Sequence, residues 1–213
     1  MDEPLVPRLR GVFHEWAFFA AVAGGALLVV LSDGVHERVA VLVYATALAA
    51  MLGASALYHR FPWRTAAARL RARRVDHAMI FVFIAGTYTP FALLGFDGVL
   101  RTVVLVAVWC GAALGLVLEL VWIHAPRWVS AAAYLAVGWV GVVAVPQLFP
   151  ALGTSVALLV IAGGALYSVG AIAYAVGWPN PFPTTLGFHE VFHLLVLLAA
   201  GTQYVAVSVV VLS

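Results

Sequence analysis

The sequence predicts an all-α membrane protein, a bundle of seven transmembrane helices in one domain that covers residues 1–213. The first observation is composition, since 65% of the 213 residues are hydrophobic and only 9% are charged, against about 25% charged in an ordinary soluble domain. The second is that seven apolar runs are each long enough to cross a bilayer, which takes about 17–25 residues. Because lipid cannot satisfy the polar groups of an open backbone, these runs are expected to be helices.

Short polar or proline-containing segments separate the seven runs. An arginine-rich loop over residues 60–74 separates the second run from the third, and three prolines within residues 178–183 predict an ordered loop before the last run. The expected spans lie near residues 13–32, 39–59, 76–95, 99–122, 128–148, 153–177 and 187–212.

The arginines predict the orientation of the bundle. The chain has no lysine, and its formal net charge of +2 is too small to predict a nucleic-acid partner. Arginine-rich loops stay on the cytoplasmic side of a membrane. With the N-terminus inside, nine of the eleven arginines are cytoplasmic: Arg8, Arg10, Arg60, Arg64, Arg69, Arg71, Arg73, Arg74 and Arg127. We therefore expect a cytoplasmic N-terminus and, after seven spans, a C-terminus outside.

Two histidines lie four residues apart at the start of the last run. On a helix, His189 and His193 share one face and lie one turn apart, a spacing at which two imidazoles bind one metal ion. In the alternative interpretation both histidines lie in the water of the headgroup region. Ionisable side chains within membrane helices are usually functional, so the pair is a candidate metal site.

Polar side chains from other runs are expected at the same depth as this histidine pair. His59 ends the second run and Asp76 opens the third, while His14 and Glu15 open the first. All of them lie at cytoplasmic ends in the predicted topology, and independent solvated side chains have no reason to share one leaflet. Glu119, near the end of the fourth run, is expected to be solvated beside a loop.

The chemistry of these side chains predicts a zinc site. His59, His189 and His193 supply three neutral nitrogen ligands, and three protein ligands with an open fourth position are typical of catalytic zinc. Asp76 is the candidate general base that acts on the attacking water. Ser55, one turn before His59, is the candidate that orients this imidazole or the water.

Less specific interpretations remain for two of these residues. In the first, Asp76 only pairs with Arg73 or Arg74. In the second, which is independent of it, Ser55 is a small residue at a helix contact. His77 points about 100° away from Asp76 around a helix, so we expect it to be interfacial.

These residues carry a resemblance to a known family. The matching segments are Arg10-Gly11-Val12-Phe13-His14, Ser55-Ala56-Leu57-Tyr58-His59, Asp76-His77, Ile84-Ala85-Gly86-Thr87-Tyr88-Thr89-Pro90 and Gly187 to His193. The chain resembles the hemolysin III branch of the progestin and adipoQ receptor family, within a superfamily of membrane-embedded metal-dependent hydrolases. The resemblance covers nearly the whole chain. It implies seven spans with the N-terminus inside, and zinc bound by His59, His189 and His193 with Asp76 nearby.

The resemblance also implies a function. Adiponectin receptors of this family are linked to ceramide hydrolysis, so we expect a ceramidase-like hydrolase of a lipid amide or ester in a bacterial-type plasma membrane, with its metal site near the cytoplasmic side. A receptor, pore or membrane-homeostasis protein with structural zinc is the first alternative. An intramembrane metalloprotease is the second, because His189-Glu190-x-x-His193 has the spacing of a zinc protease motif with Glu190 as base.

Overall fold

The computed structural model describes residues 6–213 and confirms the all-α class; the first five residues of the predicted domain lie outside this part. Within it, seven helical segments are long and apolar enough to cross a membrane. The α-helices are α1 (Val12–Leu31), α2 (Val35–Arg60), α3 (Ala66–Gly95), α4 (Gly98–Val121), α5 (Arg127–Gly138), α6 (Val145–Leu152), α7 (Thr154–Val176) and α8 (Phe188–Leu212). A short 3₁₀ helix, Val140–Ala144, joins α5 to α6, and the three together form the fifth span.

Helices α3 and α8 hold the bundle together. Helix α3 packs against α2, α4, α5 and α8, and α8 packs against α1, α2, α3 and α7. The buried positions of α8 recur every three or four residues, as in His193, Val196, Ala200, Gln203 and Val207. This period places them on one face, which lies against the other helices while the opposite face meets lipid.

Small residues let the helices approach one another closely. A Cβ added at Gly25 of α1 would meet Ala45 of α2, and one added at Gly86 of α3 would meet Ala47 of α2. Membrane helices associate through such contacts because lipid tails are as apolar as the helix surfaces, so the hydrophobic effect contributes little to their association. The first three helices therefore form a tight layer.

The fifth span is broken in its middle, which the sequence analysis did not predict. Pro146 lacks an N–H and its ring disfavours a continuous α-helix through the preceding turn. Tyr88 of α3 compensates for part of the break: its hydroxyl donates to the carbonyl of Gly138 and accepts from the N–H of Gly141 at 3.3 Å. Irregular backbone at membrane depth is tolerated where protein satisfies it in this way.

Helix α3 begins earlier than its apolar run. Thr65 caps it by accepting a hydrogen bond from the N–H of Ala68 at 3.1 Å, and the helix starts at Ala66. The prediction of a loop over residues 60–74 was therefore wrong for most of that range. Alanine and arginine are good helix formers, and a threonine cap supplies the missing start signal.

Candidate metal centre

Side chains from four helices meet at one end of the bundle. His59 lies in the last turn of α2, His189 and His193 lie in the first two turns of α8, and His14 and Asp76 belong to α1 and α3. Gly11, which precedes α1, has a φ of 78° and approaches the Cβ of His59 so closely that a side chain there would collide with it. The chain therefore brings together polar groups from distant parts of the sequence.

The three histidines predicted to bind metal form a cluster. Ligand atoms of His59, His189 and His193 all lie within 4.8 Å of one another. The Nε2 atoms of His59 and His189 face each other at 3.2 Å. His193 is buried, and its ring centroid lies 5.2 Å from that of His59 and 4.6 Å from that of His189. This arrangement has the donors and the spacing to hold one metal ion.

Asp76 lies beside the cluster. Its Oδ2 is 3.7 Å from His59 Nε2 and 3.5 Å from His77 Nδ1, and the residue is buried. None of the ion pairs found in residues 6–213 joins Asp76 to an arginine. The alternative pairing with Arg73 or Arg74 therefore receives no support, and the carboxylate is placed to accept a proton at the cluster.

Ser55 bonds to a residue for which the sequence analysis assigned no role. Its Oγ lies 2.8 Å from His14 Nδ1, whereas the prediction had Ser55 orient His59 or the water. The His14 ring stacks on His193, with centroids 3.9 Å apart and 11° between planes. His14, which was expected at this depth but without an assigned role, is thus a site residue; its signal was an ionisable side chain at the start of an apolar run.

Two buried imidazole nitrogens at the centre lack a hydrogen-bond partner within the described part of the chain. They are Nδ1 of His193 and Nε2 of His14. Buried polar atoms normally have a partner. Their lack of one fits a centre that a further bound group completes.

The contacts of Glu190 do not favour its action as a general base. Its carboxylate is completely buried, pairs with the guanidinium of Arg10 and accepts the N–H of Gly187 at 2.8 Å. These bonds fix the first turn of α8 from the N-terminal segment. A carboxylate bound in this way does not serve as a general base, which disfavours the metalloprotease interpretation.

Two further expectations for polar residues were wrong. His77 is buried rather than interfacial, with Nδ1 at 3.0 Å from the carbonyl of Arg73 and Nε2 at 3.3 Å from the hydroxyl of Tyr174. Glu119 is buried rather than solvated, and the hydroxyl of Tyr134 lies 3.5 Å from its Oε1. Contacts with other helices, which periodicity does not reveal, bury both side chains.

An apolar cavity of about 390 Å³ extends from the centre into the membrane-spanning part of the bundle. Asp76 and His193 lie in its wall, and Gln203 of α8 lines it further along the same helix. Trp139, beside the break in the fifth span, and Ile161 of α7 also line it and are exposed on the bundle surface. The cavity therefore connects the polar cluster with the lipid-facing side of the protein.

Comparison with known proteins decides the family. The family model described as "Haemolysin-III related" matches residues 5–204. The chain belongs to this family. The match covers the site residues of all four helices at the centre, and the family resemblance predicted from the sequence motifs is confirmed.

Relatives of this family member come from bacteria and animals. The hemolysin-3 homolog of Bacillus subtilis (strain 168) is 37% identical over 134 residues, which are 62% of this chain and 60% of that protein. Hemolysin-3 of Bacillus cereus is 34% identical over 139 residues, 65% of this chain and 60% of that protein. The matched segment thus spans about 60% of the length of both. The human monocyte to macrophage differentiation factor is 26% identical over 201 residues, 91% of this chain and 79% of that protein.

Proposed function

We propose that this haemolysin III-related protein is an integral membrane hydrolase that cleaves an amide or ester bond of a lipid with a metal ion, zinc. The observation that carries the proposal is the three-histidine cluster beside Asp76 at the end of an apolar cavity. Apolar space accommodates a lipid chain. A metal site with a base beside it is equipped to add water to a carbonyl carbon, so that the C–N bond of an amide or the C–O bond of an ester breaks and the amine or alcohol leaves with a proton.

The donor set supports zinc. Imidazole is a ligand that zinc prefers, and three protein ligands leave the open position of a catalytic site. The unpartnered nitrogens of His193 and His14 fit a centre completed by a bound group. Zinc bound by His59, His189 and His193 would polarise a carbonyl oxygen and make water a better nucleophile at neutral pH.

The chain's own residues divide the remaining tasks. The apolar cavity holds the lipid chain and keeps bulk water from the centre. Asp76 takes the proton of the attacking water at its carboxylate. Ser55 bonds to His14, which stacks on His193, so Ser55 acts on the orientation of His193 rather than that of His59. A ceramide-like amide is the substrate that the family resemblance favours.

A structural metal site in a receptor, pore or membrane-homeostasis protein is the second candidate. The observation that favours it is that the three histidines come from two helices, α2 and α8. A metal ion there would cross-link the first and last parts of the chain and stabilise the fold without turnover.

The two candidates differ in one experiment. The purified protein is analysed for bound metal and then incubated with a ceramide-type amide and with a lipid ester, before and after treatment with a chelator. The hydrolase proposal expects stoichiometric zinc and turnover that the chelator abolishes. Bound zinc without turnover of either lipid would overturn the hydrolase and support the structural site.

A further inference from the structure

A second cavity, of about 260 Å³, lies beside His59 at the same end of the bundle. It is separate from the apolar cavity, whose wall contains Asp76 and His193. We name it the arginine pocket; Val6 lies in its wall together with Arg10, Tyr58, His59, Phe61, Trp63 and Arg69. The metal centre therefore has apolar space on one side and a pocket with basic side chains at His59.

The charges of the arginine pocket are of one sign. Arg10 and Arg69 line it, and no carboxylate does within the described part of the chain. Two acidic residues nearby are already paired: Glu15 accepts from Arg60 at 2.8 Å, and Glu190 accepts from Nε of Arg10. That bond uses one of the five N–H donors of the Arg10 guanidinium. Among residues 6–213 no other side chain accepts a hydrogen bond from this guanidinium.

We propose that the arginine pocket binds a phosphate-type oxyanion, supplied by the headgroup of an anionic lipid. Guanidinium groups bind phosphate oxygens through paired, charge-assisted hydrogen bonds. His59 borders the pocket, and its Nε2 lies 3.7 Å from Asp76, which borders the apolar cavity. A phospholipid ester with its headgroup in the pocket and its chain in the apolar cavity has its carbonyl region at the metal centre, whereas a ceramide has no phosphate and would use the apolar cavity alone. This last step rests on the proposed function, whereas anion binding does not.

Arg71 is the control residue that distinguishes specific binding in the arginine pocket from general electrostatic attraction of anionic lipids. The arginine-rich start of α3 attracts anionic lipids through its summed charge, whatever the pocket does. Arg69 and Arg71 are both exposed on this part of α3, but only Arg69 lines the pocket. Nε of Arg71 instead donates to the carbonyl of Ala67 at 3.4 Å. The two arginines are thus matched in charge, helix and exposure, and differ in their place relative to the pocket.

The test measures lipid binding to the full chain in detergent by calorimetry. The probes are a short-chain phosphatidic acid, phosphatidylcholine of the same chain length and inorganic phosphate. We expect saturable binding of one phosphatidic acid per chain, with clearly weaker binding of the other two. Arg69→Gln should weaken phosphatidic acid binding about tenfold, as for one lost charge-assisted hydrogen bond, and Arg71→Gln should leave it unchanged.

Several results would contradict the proposal that the arginine pocket binds an anionic lipid headgroup. They are the lack of saturable binding by the wild type, equal weakening in both arginine variants, or phosphatidylcholine bound as tightly as phosphatidic acid. If inorganic phosphate binds as tightly as phosphatidic acid, the proposal that the oxyanion comes from a lipid headgroup is refuted. Repeating the titration after metal removal separates the two proposals. Binding that persists without metal, in a protein that hydrolyses no lipid when loaded, supports the pocket and refutes the hydrolase.

Discussion

Asp76 holds a carboxylate at the metal centre without an arginine partner in the described chain, 3.7 Å from His59 Nε2. In the proposed hydrolase this group accepts a proton from water. The change Asp76→Asn keeps the size and a hydrogen-bonding oxygen but removes that capacity. We expect zinc content to stay the same and turnover to fall by about 10²–10⁴-fold, the usual contribution of a general base. Hydrolysis of a ceramide-type amide, with metal analysis of the same sample, checks this.

A matched control for this variant is Asp33→Asn. Asp33 is exposed in the turn between α1 and α2, at the other end of α1 from His14. We expect it to retain wild-type turnover. Asp76→Asn that hydrolyses lipid as fast as the wild type would remove Asp76 from the reaction.

Substitution of the three histidines of the cluster is tested by measuring how much metal the protein binds. We expect His59→Ala or His193→Ala to lose the metal, because each removes one of three ligands from the cluster. An ion held by these three ligands would bind only the folded chain, so at a concentration about 1,000 times its Kd its loss would lower stability by about 4 kcal/mol. Metal analysis and thermal unfolding measure the two effects.

His124→Ala is the control for the ligand variants, since His124 is exposed and lies outside the cluster. It should keep both metal and stability. Zinc content that is unchanged in His59→Ala would refute the assignment of the three histidines as ligands.

Sequence spacing was sufficient for some of these residues and not for others. His189 and His193 could be paired because four residues on a helix is one turn, and His59 and Asp76 because span ends alternate between the two sides of a membrane. His14 could not be assigned, because its role depends on stacking against His193 across two helices. Rotation of one helix against another is set by packing, which apolar runs do not encode.

At the scale of elements, the start of α8 depends on the N-terminal segment. Glu190 caps the helix through the N–H of Gly187 and pairs with Arg10. We expect Glu190→Gln to lower stability by about 2 kcal/mol, less than the 3–5 kcal/mol typical of a broken buried pair because the Arg10 side chain is 25% exposed. Thermal unfolding of the metal-free protein measures this directly.

The Glu190 variant also tests chemistry. If the carboxylate acts only on structure, Glu190→Gln that is folded and loaded with zinc should keep its turnover within a few-fold of the wild type. A fall of the size expected for Asp76→Asn would instead restore the metalloprotease interpretation, in which Glu190 is the base.

The fifth span shows where prediction of elements failed. Hydropathy predicted a single helix near residues 128–148, but the structure has α5, a 3₁₀ helix and α6 over Arg127–Leu152. Apolar runs report that a segment crosses the membrane and not how its backbone is bonded. The hydroxyl of Tyr88, from another helix, satisfies Gly138 and Gly141 at the break. A break that depends on such a partner is invisible in the local sequence.

In the whole molecule, the number of spans determines whether the segments that form the centre lie on the same side of the membrane. With seven spans, the start of α1, the end of α2, the first part of α3 and the start of α8 lie on one side. The cluster comes from α2 and α8, and His14 of α1 and Asp76 of α3 lie beside it. An even number would have sent the α8 histidines to the opposite side from His59. The contact between His59 and His189 therefore supports an odd number of spans independently of hydropathy.

Orientation is the remaining property of the whole molecule. The structure places the arginine-rich start of α3 at the same end as the metal centre, and arginine-rich segments stay in the cytoplasm. A reporter fused after Ser213 should therefore behave as exported, while one inserted after the exposed Arg64, between α2 and α3, should behave as cytoplasmic. Each reporter is the control for the other, because the two are expected to be active on opposite sides of the membrane. Cytoplasmic activity at both positions would contradict the odd number of spans between Arg64 and Ser213, and exported activity at Arg64 would invert the predicted orientation.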